Sequence, residues 1–197
     1  MITLSAAIKV AYECAQLYRA NLQNKNYLFI YQDGQFFECI ETLFSARHFM
    51  HLTGLRSRSL SAQGFYHSCL KKRLGANDIY CSGSGTTELK LHVLPHLLNM
   101  PLKSMMIGRS ADDGFLLYTD TLVGTIRGSM GFIPDQSSFY VPNTTLREDI
   151  RKLVKKPFQI KMACSKARKD TLYSTIFCQN NFTISILPEV IQIKIAH

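Results

Sequence analysis

Within His51-Leu52-Thr53-Gly54 the chain brings together an imidazole, a hydroxyl and a glycine. Histidine has a reference pKa of about 6.5, so it is the side chain best suited to exchange protons near neutrality. The surrounding stretch, Phe44 to Leu74, also holds His48 and His67, and from Arg47 to Arg73 it carries 6 Lys or Arg and no Asp or Glu. A solvated surface ordinarily mixes both signs. A one-signed block beside imidazoles and hydroxyls therefore suits an anion, phosphate being the commonest. The competing reading of His51, as a side chain that only pins its turn, stays open on these residues alone.

Other groups are weaker candidates. His92 and His96 have the spacing of a zinc-binding pair on a helix, but the Glu of the usual metalloprotease motif is missing and Pro95 distorts the turn between them. No Cys-x-x-Cys exists among the 6 cysteines, so no bound metal and no cofactor are expected. Gly83-Ser84-Gly85 could offer backbone amides to a phosphate. It matches neither a Walker loop nor a dinucleotide fingerprint, and a plain flexible connection is the better reading.

The net charge of +9 is unevenly spread: residues 47–73 carry 6 basic and 0 acidic side chains and residues 145–197 carry 10 and 4, while the rest of the chain is balanced or acidic. If folding joins the Arg47–Arg73 and Arg147–Lys169 blocks on one face, they make a surface for nucleic acid; if not, they are ordinary surface cations. With 197 residues and 46% hydrophobic content, one domain with a full core is expected over residues 1–197. Scattered thiols and a charged N-terminus predict a cytoplasmic protein with free cysteines. No apolar run approaches the ~18–20 residues of a membrane span, so no membrane partner is expected.

The elements that must position these groups follow from periodicity and turn chemistry. Leu4, Ile8, Ala11, Ala15, Tyr18 and Leu22 fall on one face of an N-terminal helix. Asp33-Gly34 between Tyr27–Gln32 and Gln35–Ile40 predicts a hairpin. Ser61 caps a helix ending near Gly75, whereas His48–Gly54 fits helix or strand. A helix starting at Thr86 or Thr87 buries Leu89, Val93 and Leu97 and is kinked at Pro95. Lys103–Gly108, Phe115–Thr119, Leu122–Arg127 and Ser138–Val141 read as an antiparallel meander. A capping box from Thr145 to Glu148 opens a helix that stops before Pro157, and Phe158–Ala163, Leu172–Cys178 and Val190–Ile195 read as late strands. Helices early and strands late make the fold α+β.

The motif Phe44-x4-Phe49-x-His51-Leu52-Thr53-Gly54, followed by Phe65-Tyr66, Leu89-Lys90-Leu91, Met106-Ile107-Gly108, Val141-Pro142-Asn143 and Leu146-x2-Asp149-Ile150, resembles the phage-associated nuclease family named for a barnase, EndoU, colicin and RelE-like fold, fourth subgroup. The resemblance runs over roughly residues 27–195, after an N-terminal helix within 1–26. It implies a ribonuclease-like α+β fold, early helices on a curved antiparallel sheet, in a protein of bacteria, their phages or other mobile elements.

On that basis the chain is expected to be a metal-independent endoribonuclease. His51 would exchange protons with the ribose 2′-OH, Thr53 would position it or the phosphate, and Tyr66 would supply a hydroxyl. Lys90 and Arg127 would clamp phosphate, and Lys161, Lys166 and Arg168 would extend the RNA track. An antitoxin or inhibitor protein would be its other partner. Two alternatives remain open: a non-catalytic protein gripping nucleic acid or a host protein by the basic face, and a nucleotide-dependent transferase such as an ADP-ribosyltransferase. No second acid/base residue identifies itself.

Overall fold

A computed structural model describes residues 2–82, 85–99, 105–111, 118–179 and 183–196. Helix α1 (Leu4–Asn21) is opened by Thr3, whose hydroxyl accepts the N–H of Ala6 at 3.3 Å. Its buried face, Ala7, Ala11, Cys14, Ala15 and Tyr18, is mostly small, which lets neighbouring helices lie close. The expected hairpin follows: β1 (Lys25–Asp33) and β2 (Phe36–Leu43) pair antiparallel, and Gly34 takes the positive φ (61°) that their turn requires. A 3₁₀ turn at Ala46–His48 runs into α2 (Phe49–Thr53), resolving the His48–Gly54 ambiguity in favour of helix. Next come β3 (Leu55–Ser57), α3 (Ala62–Leu70), β4 (Ile79–Cys81) and α4 (Thr86–Leu98). The late strands are β5 (Met106–Arg109), β6 (Thr121–Thr125), β7 (Gly128–Pro134), β8 (Tyr140–Leu146), β9 (Phe158–Ala167) and β10 (Thr175–Gln179), and α5 (Glu189–Gln192) follows them.

The fold is α+β with one large mixed sheet, ordered β1-β2-β8-β7-β6-β5-β9-β10. An additional β1–β9 pairing closes this order into a ring, its corner formed where Phe158 and Gln159 of β9 meet β5. Every described junction in this sheet is antiparallel except one: β2 meets β8 in parallel, at Thr42 and Tyr140, so the sheet is not the purely antiparallel one expected. Alternation along β1 shows the two faces. Tyr27 and Phe29 join Val123, Met130 and Phe132 in the core beneath α1, α3 and α4, while Leu28 and Ile30 face outward with Met162 and Cys164. That outer face is covered by Leu187, Ile191 and Ile195 of the C-terminal segment. A polar latch fastens it, since the Tyr173 hydroxyl donates to Glu41 at 2.8 Å and Lys194 pairs with the same carboxylate.

Several elements differ from expectation for identifiable reasons. Thr145 caps no helix: β8 continues through it, and its hydroxyl is engaged by α2. Asp149 instead caps a short 3₁₀ turn at Ile150–Lys152, accepting the Arg151 N–H at 3.0 Å. Val190–Ile195 contains a helical turn rather than a strand, because a short apolar run fits either period. Leu89 is 48% exposed, and Leu91 and Leu94 take its place in the buried stripe of α4. Helix α3 ends at Leu70, before Gly75. The β3–β4 pair was not foreseen. Phe115–Leu117 and Lys103–Ser104 lie outside the described residues, as do Gly83 and Ser84.

Candidate functional site

The His51 site is built on the C-terminal turn of α2. A helix end leaves carbonyls without partners, and here four side chains from three elements supply them. Thr53 donates to Met50 O at 2.7 Å, Lys90 to His51 O at 3.2 Å, Thr145 to Leu52 O at 2.8 Å and Thr87 to Gly54 O at 2.8 Å. Gly54 ends the helix in the left-handed region, at φ 70°. It also allows α4 to press against the turn, for a Cβ there would lie 3.0 Å from Lys90 Cδ and 3.1 Å from Thr87 Cα.

This clamp leaves the His51 side chain exposed at a cavity of about 160 Å³ that Arg56, Lys90, Thr86, Ser82 and Asn143 also line. None of the described lining residues is acidic. Partial burial, then Arg56 and Lys90, hold the His51 pKa below its ordinary value, so the ring is neutral and basic at neutral pH. Burial and Arg56 likewise lower the pKa of Lys90. Asn143 is oriented by Thr119, which donates to its Oδ1 at 3.2 Å, while its own amide donates to Tyr118 O. Together these groups offer a proton acceptor, two cations and neutral donors to a phosphate ester.

The expected site residues divide. His51 and Lys90 meet. Thr53 is 0% exposed; its hydroxyl accepts the Leu55 N–H at 3.1 Å besides donating to Met50 O, so it holds the turn and does not face the cavity. Tyr66 is also buried, among Tyr18, Phe49 and Phe65, and its hydroxyl donates to Gln23 Oε1 at 2.7 Å, away from His51. Arg127 lies exposed in the β6–β7 turn and Lys161 at a β9 bulge, neither lining this cavity. Lys166 turns to the outer face, 4.4 Å over the Tyr173 ring and donating to Thr171 O at 2.8 Å. Arg56 was missed as an individual residue, though strand alternation after Gly54 turns Leu55 in and Arg56 out.

A second basic cavity, about 420 Å³, opens where Arg47, His67 and Arg168 meet Gln23, Gln63 and Ser45. It joins the two basic blocks through Arg47 and Arg168, but much of the C-terminal block is already paired. Arg151 bonds Asp149, Lys152 bonds Glu148 and Lys156 bonds Asp33. Tyr66 belongs to this cavity indirectly, because its hydroxyl occupies the oxygen of Gln23 and leaves the amide N–H groups to other partners. Between the two cavities lies His48, 6% exposed. Burial, Arg47 and His51 push its pKa down to about 4.

A mixed sheet with helices on its inner face, carrying a histidine in a cationic cavity whose described lining holds no carboxylate, defines an α+β protein equipped to handle anions. The chain belongs to the phage-Barnase-EndoU-ColicinE5/D-RelE like nuclease4 family, whose sequence profile covers residues 12–181. No curated protein and no solved structure matches it. The family name associates the chain with phage and with nuclease activity on nucleic acid. No helix among the described residues is long and apolar enough to cross a membrane.

Proposed function

We propose that the chain is a metal-independent endoribonuclease with His51 as its general base. The observation that supports this most is a solvent-reachable, neutral imidazole beside Lys90 and Arg56 with no carboxylate among the described residues of the cavity lining. The imidazole takes the proton of the ribose 2′-OH, which attacks the adjacent phosphorus. Arg56 and Lys90 stabilise the charge of the phosphorane. Lys90, its pKa lowered, is the neighbouring group able to return a proton to the departing 5′-oxygen. The strand would continue across the Arg47–His51 ridge to Arg47, His67 and Arg168. Thr53 and Tyr66 then serve by holding the His51 turn and Gln23.

The test is cleavage of a mixed-sequence RNA by purified protein in excess chelator. We expect products ending in 2′,3′-cyclic phosphate, and His51→Ala to reduce the rate by about 10²–10⁴-fold, the usual contribution of a general base. Because the ring is exposed, the melting temperature should hardly move. Unchanged cleavage by His51→Ala would remove this mechanism, and RNA binding without cleavage by the parent protein would leave a binding protein in its place.

A further inference from the structure

A third cavity, of about 450 Å³, differs in chemistry from both basic ones. Its lining comes from the last residues of β1 and β5, the middle of β2, the first of β6, β8 and β9, and Lys155 and Lys156 just before β9, so it is the mouth of the ring at one end. Ile40 and Ile107, both buried, form an apolar floor. Tyr31, Tyr140 and Phe158 supply aromatic walls, the Tyr31 and Phe158 rings lying 5.4 Å apart. Arg109 stands within electrostatic reach of both tyrosine hydroxyls. Mouths of barrels with apolar floors and a few convergent polar groups are common places for small ligands, and the volume falls in the usual ~300–1,000 Å³ range.

We propose that this mouth binds a mononucleotide, with the base on the aromatic wall and the phosphate on Arg109. The guanidinium presents a planar fork matched to a phosphate. Burial pushes the Tyr31 phenol up to about 12, so it remains a neutral donor at physiological pH. Glu38 at the rim accepts from base N–H groups or ribose hydroxyls. The charge balance selects one phosphate over a continuous backbone. Among the described residues, Arg109, Lys155 and Lys156 face Asp33 and Glu38, Asp120 at the Tyr140 hydroxyl adds a third carboxylate, and Lys156 is already bonded to Asp33 at 2.7 Å. An RNA backbone has a better match in the two cavities whose described lining holds no carboxylate.

The site stands whether or not the protein cuts RNA, and calorimetry on the full chain separates the two readings. The probes are the four ribonucleoside 5′-monophosphates, with ribose 5-phosphate and adenosine as half-ligands. Monophosphates should bind the parent and His51→Ala proteins alike and each half-ligand at least about tenfold more weakly, because both base and phosphate contribute. Arg109→Met should weaken monophosphate binding by about tenfold or more while leaving adenosine unchanged. Tyr31→Leu should weaken both, and Tyr31→Phe, which keeps the ring, tests the hydroxyl alone should the leucine variant fold poorly. Absence of monophosphate binding would overturn the proposal. So would binding that survives Arg109→Met, or that is lost in His51→Ala, which would place the nucleotide in the other cavity. A mononucleotide that raises the KM for RNA identifies the natural ligand as an RNA end; one that leaves it unchanged identifies a free nucleotide, and either result retains the site.

Discussion

His48 and His51 stand three positions apart with opposite environments, and this difference can be measured. The N–H of Ser45 and the Nε–H of Arg47 each approach a ring nitrogen of His48 at 3.2 Å. A neutral ring can accept one such bond and an imidazolium neither, so protonation is opposed by geometry as well as burial. Its folded pKa, about 4, lies below the ordinary 6.5. The unfolded chain therefore binds the proton first as pH falls, and stability is lost between those two values. The loss should approach roughly 3 kcal/mol from this group, and His48→Gln should flatten the acid limb of denaturant-measured stability. For His51 the lowered pKa places the rise of kcat/KM below pH 6.5, and Arg56→Gln, by removing a cation, should move the midpoint upward. An unmoved midpoint would assign that limb to another group. His51 drew notice because a histidine beside cations is a chemical signal in the sequence itself, whereas Lys90 entered through the Leu89-Lys90-Leu91 piece of the family resemblance. For Thr53 and Tyr66 the sequence left open whether the hydroxyl faces a substrate or holds the site, because it reads the same either way; burial decides, and burial belongs to the fold.

The turn ending α2 joins fold to site, since residues of two helices and a strand satisfy its carbonyls. Gly54→Ala puts a methyl against Lys90 and Thr87 at a φ that L-residues avoid, and should destabilise by about 1–3 kcal/mol in denaturant titration. Thr145→Val leaves Leu52 O buried without its donor and should lose about 1–3 kcal/mol, together with part of the activity, because α2 is no longer held to β8. A neutral result for Thr145→Val would show that the bond does not hold the site. The hairpin at Asp33-Gly34, α1 and α3 were readable because periodicity and turn residues agree there. The Thr145 box misled because a threonine followed by a glutamate marks a helix start only if the strand has ended. The β3–β4 pair and the parallel β2–β8 junction left no local trace, being set by where distant strands meet.

For the molecule as a whole, charge placement predicts that RNA affinity falls steeply with salt. Arg47→Gln and Arg168→Gln should each lower the log-log slope by about one and weaken binding of all sequences alike, as phosphate contacts do. A slope unchanged in the double variant would place the strand elsewhere. The C-terminal cover, latched through Tyr173, Glu41 and Lys194, keeps the outer apolar face of β1 and β9 from water. The seam joining those two strands also has a consequence in time. Lys25 pairs with Ala167, so a strand made early waits for one made late, and the His51 turn waits in the same way for Thr145 and Asn143. Contacts between such distant residues form slowly. On the ribosome, itself built of RNA, a chain shorter than β8 lacks both the anchor of α2 and part of the cavity. An RNA-cutting protein arranged this way is born harmless to the machine that makes it, and ribosome-bound chains truncated before Tyr140 should cut no RNA while the released full chain does.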